Sequence, residues 1–124
     1  MRLLPDTHAV LWWLADDPAL SPRARDLLES GRHEVLLSAV VPLEIAIKVP
    51  LGKLEVPGDV GATLLAAGAH ELPITVAHAR RVQDLPLHHR DPFDRLLVAQ
   101  ALAEKAVVLS ADGALDAYGV RRRW

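Results

Sequence analysis

The chain has 124 residues, 51% of them hydrophobic and 24% charged, with 14 basic and 16 acidic side chains and a net charge of −2. That length suits one ordinary domain with a real core, and the near-neutral balance gives no bulk attraction to polyanions, so any nucleic acid has to be met by local contacts. With no cysteine in the sequence, disulfides, thiolate metal sites and cysteine nucleophiles are excluded. No apolar stretch approaches the roughly 20 residues of a membrane span, and Met1-Arg2-Leu3-Leu4-Pro5 lacks the pattern of a secretory signal. A soluble, cytoplasmic protein is expected.

Short apolar runs alternate with segments of helical period, the pattern of an α/β domain around a largely parallel sheet. Leu3 to Pro5 reads as a first strand ending at Asp6, irregular at its end because Pro5 cannot donate a ladder hydrogen bond. An apolar helix from about His8 to Ala15 follows. Ser21-Pro22 starts a helix over 22–30, with serine as cap and proline in the first turn, and Ser30-Gly31 stops it. Glu34 to Leu37 is a second strand, after which Ser38 caps a helix carrying Glu44, with Pro42 making its first turns tight or irregular. Pro50 to Leu54 ends that helix, and Asp59 caps another running to about Ala69. Glu71 to Ile74 is a short extended segment, Thr75 caps a helix through about Asp84, and Leu85 to Arg90 forms a basic loop. In Asp91-Pro92-Phe93-Asp94 a cap, a first-turn proline and a first-turn acid together start the next helix. Ala106 to Leu109 is a buried strand ending at Ser110-Ala111-Asp112, followed by a short helix from Ala114 to Tyr118 and a last strand at Val120.

Four acids, Asp6, Glu44, Asp94 and Asp112, stand in or beside apolar surroundings, where an unpaired carboxylate is costly. Ligands of open parallel sheets sit beyond the carboxyl ends of the strands, near the point where strand order reverses. Asp6 and Asp112 fall just past such ends, and Glu44 and Asp94 lie on helices able to lean over the same edge. Each acid has a local explanation: Asp6 as a helix cap, Glu44 as a partner for Lys48 one turn later, Asp94 as a first-turn charge, Asp112 as a turn residue before Gly113. Those explanations do not require two acids to terminate strands on one edge. Gathered carboxylates are relieved by a hard divalent ion such as Mg²⁺ or Mn²⁺, and such ions activate water for phosphodiester hydrolysis without a protein nucleophile. No Gly-x-Ser-x-Gly elbow, phosphate-cradling lysine loop or His-Glu-x-x-His pair points to another chemistry.

Asp6-Thr7-His8 with Leu11-Trp12-Trp13, Glu44 to Lys48 followed by Leu51-Gly52-Lys53-Leu54, His89 to Ala101, and Ser110-Ala111-Asp112 with Tyr118 and Trp124 resemble the motifs of PIN-domain ribonucleases, and within them the VapC toxins. Leu43, where tryptophan is usual, and Pro5, Pro42 and Pro50 depart from that pattern. The resemblance implies a single three-layer α/β/α PIN-like domain over 1–124 with a central, mainly parallel sheet. It implies an acidic catalytic site of Asp6, Glu44, Asp94 and Asp112, with Asp6, Asp94 and Asp112 as ligands of Mg²⁺ or Mn²⁺. Ser110 and Asp91 would support that site, Asp91 chiefly as a helix cap. It further implies RNA as substrate, a cognate antitoxin whose C-terminal segment reaches toward the acids, and a homodimer. Arg95, His89, Arg90 and Lys48 are candidates for contact with RNA phosphates. Trp12 and Trp13 are expected to be core and interface anchors. The alternatives are a PIN nuclease of housekeeping role and a catalytically idle PIN-like domain that binds RNA or protein. A receiver-type signalling domain does not fit, since its phospho-accepting aspartate and trailing lysine have no counterpart at these strand ends.

Overall fold

A computed structural model describes residues 1–124. Five strands, β1 (Arg2–Pro5), β2 (Glu34–Ser38), β3 (His70–Leu72), β4 (Val107–Leu109) and β5 (Arg122–Arg123), form one sheet in the order β3-β2-β1-β4-β5. Every pairing is parallel, with Leu3 opposite Val35 on one side and Val107 on the other. The connecting helices are α1 (Thr7–Leu14), α2 (Pro22–Glu29), α3 (Val40–Lys48), α4 (Val60–Ala66), α5 (Val76–Asp84) and α6 (Pro92–Glu104), with a 3₁₀ helix over Gly113–Tyr118.

Alternation along the strands divides the core. Leu4, Leu36, Leu72 and Val108 pack with Leu97, Val98 and Ala101 of α6 and with Leu115 and Tyr118. Leu109 packs on the opposite face with Ala9, Leu20, Ala24 and Leu28, and Leu37 does so with Val10, Val41, Val60 and Leu64. Two helical layers therefore sandwich the sheet, the α/β/α architecture expected from the sequence. Gln100 is fully buried between the layers; it accepts from the Ser38 hydroxyl and donates to the Pro73 carbonyl at 3.3 Å, tying α6 to β2 and to the exit of β3.

The chain builds β1, β2 and β3 outward in one direction, then returns to lay β4 on the other side of β1. Strand order reverses between β1 and β4, and the crevice at their carboxyl ends is where such a sheet receives a ligand.

Several boundaries differ from the sequence expectation. Pro5 leaves β1 paired with β4 to its end, where the Asp6 N–H donates to the Leu109 carbonyl at 3.1 Å, but the pairing with β2 stops at Leu3, as expected beside a residue with no N–H to donate. Pro42 is the third residue of α3, where no intrahelical N–H is needed, so the helix carrying Glu44 is regular. Ser38 does cap, through an Oγ that accepts from the Val40 N–H at 3.0 Å, but from one residue before the helix boundary. The extended segment expected over 71–74 ends at Leu72, before Pro73. The last strand lies at Arg122–Arg123 instead of Val120, because Gly119 turns the chain in a left-handed conformation and the Arg122 guanidinium is fixed by Asp116 at 2.8 Å and the Ser110 carbonyl at 3.0 Å.

Candidate active site

Asp6 follows β1 directly and caps α1, its Oδ1 accepting from the Ala9 N–H at 2.9 Å. Asp112 follows β4 by two residues beyond Ser110 and caps the 3₁₀ helix, accepting from the Ala114 N–H at 3.0 Å. Both are caps, as the local reading allows, and both stand at the crevice between β1 and β4. Ser110 joins them. Its Oγ accepts from the Asp112 N–H at 3.0 Å, which leaves the hydroxyl hydrogen for the Asp6 carboxylate. Asp6, His8, Trp12, Ala111 and Asp112 line a cavity of about 230 Å³. A roomier hollow of about 440 Å³ around Trp13, His33 and His70 sits at the opposite, amino ends of β2 and β3.

Asp94 enters from the first turn of α6. Asp91 caps this helix, its Oδ1 accepting from the N–H groups of Phe93 at 2.8 Å and Asp94 at 3.3 Å, and Pro92 sits where no donor is required. Glu44 is buried on α3, and both its oxygens are engaged: Oε1 accepts from the Thr7 hydroxyl at 2.6 Å and Oε2 pairs with Lys48. The ion pair expected between Glu44 and Lys48 thus coexists with a place at the acidic edge. Lys48 also lies 5.5 Å from the Phe93 ring centroid, and its pKa is raised, chiefly by the hydrogen bond to Glu44. Thr7 was not among the residues singled out from the sequence. A hydroxyl directly after a strand-end acid in an apolar helix was the available signal.

His89 closes the arrangement. Its Nε2 lies 3.1 Å from Asp112 Oδ2 and 3.4 Å from Asp94 Oδ2, while its Nδ1 accepts from the Asp91 N–H at 3.1 Å. A nitrogen that accepts from a backbone N–H cannot carry the proton of a neutral imidazole, so the geometry selects the tautomer with hydrogen on Nε2, aimed at the two carboxylates. One ligand atom each from His89, Asp94 and Asp112 lies within 4.8 Å of the others.

The other proposed RNA contacts divide. Arg90 is exposed at the end of the loop, and His88 meets the Tyr118 ring edge-on at 5.1 Å. Arg95 requires a correction, because its guanidinium is buried and turned into the protein. It donates to the carbonyls of Pro86 at 2.8 Å, Val82 at 3.0 Å and Leu85 at 3.2 Å and to the Tyr118 hydroxyl at 3.1 Å, so both terminal nitrogens are spent inside the protein.

Crowding has an electrostatic consequence. Burial, then Asp91, Asp6 and Glu44, push the Asp94 carboxyl up to about 6, with His89 opposing them. Burial also raises Asp6, offset in part by the Ser110 hydroxyl, the Ala9 N–H and His8. Oxygen donors from separate elements, converging where their negative charge is disfavoured, suit a hard divalent cation, which removes the penalty that each carboxylate imposes on the next.

A pH dependence of stability follows. A carboxyl whose folded pKa lies above its unfolded value stabilises the fold fully below the unfolded pKa, and that contribution is lost as pH rises through the folded one. For Asp94 the window runs from about 4 to about 6. Its side chain is 25% exposed, so solvent screening reduces the loss to about 1–2 kcal/mol. Urea denaturation in EDTA at both ends of this window should show the loss in the wild type and a flatter profile in Asp94→Asn; identical profiles contradict the assignment.

Residues 3–120 match the family model of the PIN domain. The search of curated proteins finds no match. Among solved structures, the fold is similar to VapBC2 from Rickettsia felis bound to a promoter DNA fragment, at 12% identity and a TM-score of 0.73 over 99% of this chain and 98% of that chain. It is also similar to FitAcB from Neisseria gonorrhoeae, at 20% identity and 0.62 over 97% and 95%, and to VapBC-1 from nontypeable Haemophilus influenzae, at 17% identity and 0.65 over 99% and 97%. At such identities the likeness is one of fold, whereas the family match covers nearly all of the sequence, and on that match the chain belongs to the PIN domain family.

Proposed function

We propose that this chain is a divalent-metal-dependent endoribonuclease that hydrolyses RNA phosphodiester bonds and acts as the toxin of a toxin–antitoxin pair. The observation that carries this reading is the convergence of Asp6, Asp94 and Asp112, with Glu44 behind them, at the crevice where strand order reverses, two of these carboxyls being raised in pKa by their surroundings. Asp6, Asp94 and Asp112 would hold Mg²⁺ or Mn²⁺. When bound, the ion polarises the phosphate and lowers the pKa of the attacking water.

The chain's own groups do the rest. Ser110 orients Asp6 by hydrogen bonding, Asp91 fixes the first turn of α6 and with it Asp94, and Thr7 and Lys48 hold Glu44. His89 directs its Nε2–H between Asp94 and Asp112, where it limits their repulsion. Lys48 and Arg90 add positive charge beside an otherwise acidic edge, the local attraction that a chain of near-neutral balance requires.

The partner part of the reading rests on a second observation. Leu43, Ile47 and Leu51 are exposed at helical spacing on α3 and just beyond it, and surface apolar groups arranged in this way mark protein contacts. The neighbour from Klebsiella pneumoniae is a toxin–antitoxin complex, at 13% identity and a TM-score of 0.56 over 89% of this chain. By analogy, a cognate antitoxin and a second copy of the chain are the proposed occupants, within the cytoplasm; no helix is long and apolar enough to cross a membrane.

The test is to induce the chain in a bacterial host and, separately, to incubate the purified protein with single-stranded RNA. Growth arrest, cleavage with Mg²⁺ or Mn²⁺, and no cleavage in EDTA are expected. Cleavage without growth arrest would instead favour a housekeeping nuclease. Intact RNA under all metal conditions would favour an idle site.

A further inference from the structure

Two adjacent tryptophans, Trp12 and Trp13, lead to different places. Trp13 lines the hollow at the amino ends of β2 and β3, and its indole N–H donates to Glu29 at 3.1 Å. Trp12, one helical position earlier, lines the cavity that also holds Asp6 and Asp112. It is half-buried. Part of it packs with Ala9, Leu20, Ala24 and Leu28, and Trp124 meets it edge-on at a centroid distance of 5.8 Å. His8, one turn before it on α1, is exposed and lies 5.5 Å from it, ring to ring, at 42°.

A large aromatic side chain braced by the core on one side and open to an acidic cavity on the other is unusual packing. An apolar anchor gains nothing from facing carboxylates. A nucleic-acid strand whose phosphate lies at those carboxylates, by contrast, must put its neighbouring bases somewhere. Along α1, His8 and Trp12 are separated by about 6 Å of helical rise, so the aromatic surface extends away from Asp6 on the scale of one nucleotide step.

We propose that His8 and Trp12 form a stacking platform for an unpaired nucleobase next to the scissile phosphate. The proposal rests on the nuclease reading above and adds to it a subsite for a base beside the scissile phosphate, one that an unpaired base alone can fill, since a base inside a duplex has no free face to offer. Every base has a π-face, so the platform selects for unpaired RNA more than for one base over another. Trp12 then has a place in substrate binding that neither a core nor an interface role provides, and Trp13, its sequence neighbour, serves as the control.

The test is fluorescence anisotropy of a labelled short single-stranded RNA, titrated in Mg²⁺ with protein carrying Asp94→Asn to prevent turnover. In that background Trp12→Leu should weaken binding about tenfold, Trp12→Phe by a few-fold, and Trp13→Phe by less than about twofold. The same oligonucleotide with abasic positions should bind the unmodified platform about as weakly as the intact oligonucleotide binds Trp12→Leu. With Trp13→Phe and Trp124→Phe in place, which leaves Trp12 as the sole tryptophan, RNA should quench the remaining emission, a readout that does not depend on Trp12→Leu remaining folded. Unchanged affinity in a folded Trp12→Leu variant, or an equal loss for intact and abasic RNA, overturns the platform and leaves this face to a protein partner. Failure of the Asp94→Asn protein and of the wild type to bind any RNA overturns the nuclease reading and the platform with it. RNA binding that ignores Trp12 overturns the platform alone.

Discussion

Replacing Asp94 or Asp6 by asparagine is expected to lower RNA cleavage by about a thousandfold or more, the scale on which loss of an electrostatic anchor of a reacting phosphate is felt. The substitution is nearly isosteric, so the effect isolates charge. Asparagine at position 6 still accepts from the Ala9 N–H and still caps α1. At position 94 the side chain accepts no capping bond, since Asp91 performs that task. Both changes also remove a charge that burial disfavours, so the melting temperature in EDTA should stay level or rise. The combination is diagnostic: activity falls while the metal-free fold is no weaker. Stabilisation by Mg²⁺, present in the wild type by mass action, should disappear in Asp94→Asn. Asp112, whose side chain is 42% exposed, should tolerate the same change better. Retention of about a tenth of wild-type activity or more in both Asp6→Asn and Asp94→Asn would rule out the roles given to them.

Arg95→Met is expected to destabilise the protein by about 2–4 kcal/mol, without any direct contact with substrate. The buried guanidinium has no carboxylate partner. It donates to three carbonyls where α5 ends at Asp84: Val82 in the last turn, which also accepts from the Leu85 N–H, and Leu85 and Pro86 just beyond the helix. Methionine fills the volume but supplies no donor, so the Leu85 and Pro86 carbonyls and the Tyr118 hydroxyl lose this partner together, while Val82 keeps the Leu85 N–H. The loop from Leu85 to Arg90, which carries His89, would lose its anchor as well. Arg95→Lys should recover part of the stability, since an ammonium has three donors but not the planar fork. Urea unfolding measures the effect; a loss below about 0.5 kcal/mol for Arg95→Met would mean that water replaces the clamp without cost.

The two residues also illustrate what the sequence makes legible. Asp6, Asp112 and Asp94 could be placed because each is tied to a local signal: the end of an apolar run, a Ser-Ala-Asp turn, an Asp-Pro cap. Those signals act within a few residues, and a parallel sheet converts strand ends into a shared edge. Arg95 follows one of those acids directly, yet its partners lie 9 to 13 residues earlier and 23 later, and their direction depends on how α5 packs on α6. Adjacency to an acid suggested a phosphate contact; tertiary packing decided otherwise. His89, a candidate phosphate contact by its place in the loop, bonds instead to Asp112 across 23 residues, a partner that no local signal names. β5 was displaced because a strand of arginines carries no apolar pattern and is held instead by side-chain bonds to Asp116 and Ser110. Pro42 leaves its helix regular because the third helical position has no N–H partner to lose, whereas Pro5 keeps the pairing with β4 but ends the pairing with β2 at Leu3, the irregularity its missing donor leads one to expect.

The central claim is that the acidic edge between β1 and β4 is a metal-dependent nuclease site. It is tested most directly by following the initial rate of single-stranded RNA cleavage as Mn²⁺ is titrated into metal-free protein, with ion binding measured calorimetrically on the same preparation. The account predicts a rate that is negligible without metal, rises in step with occupancy, and is absent at every concentration in Asp94→Asn. Cleavage that persists in EDTA, or that responds to Mn²⁺ equally in the wild type and in Asp94→Asn, would contradict it.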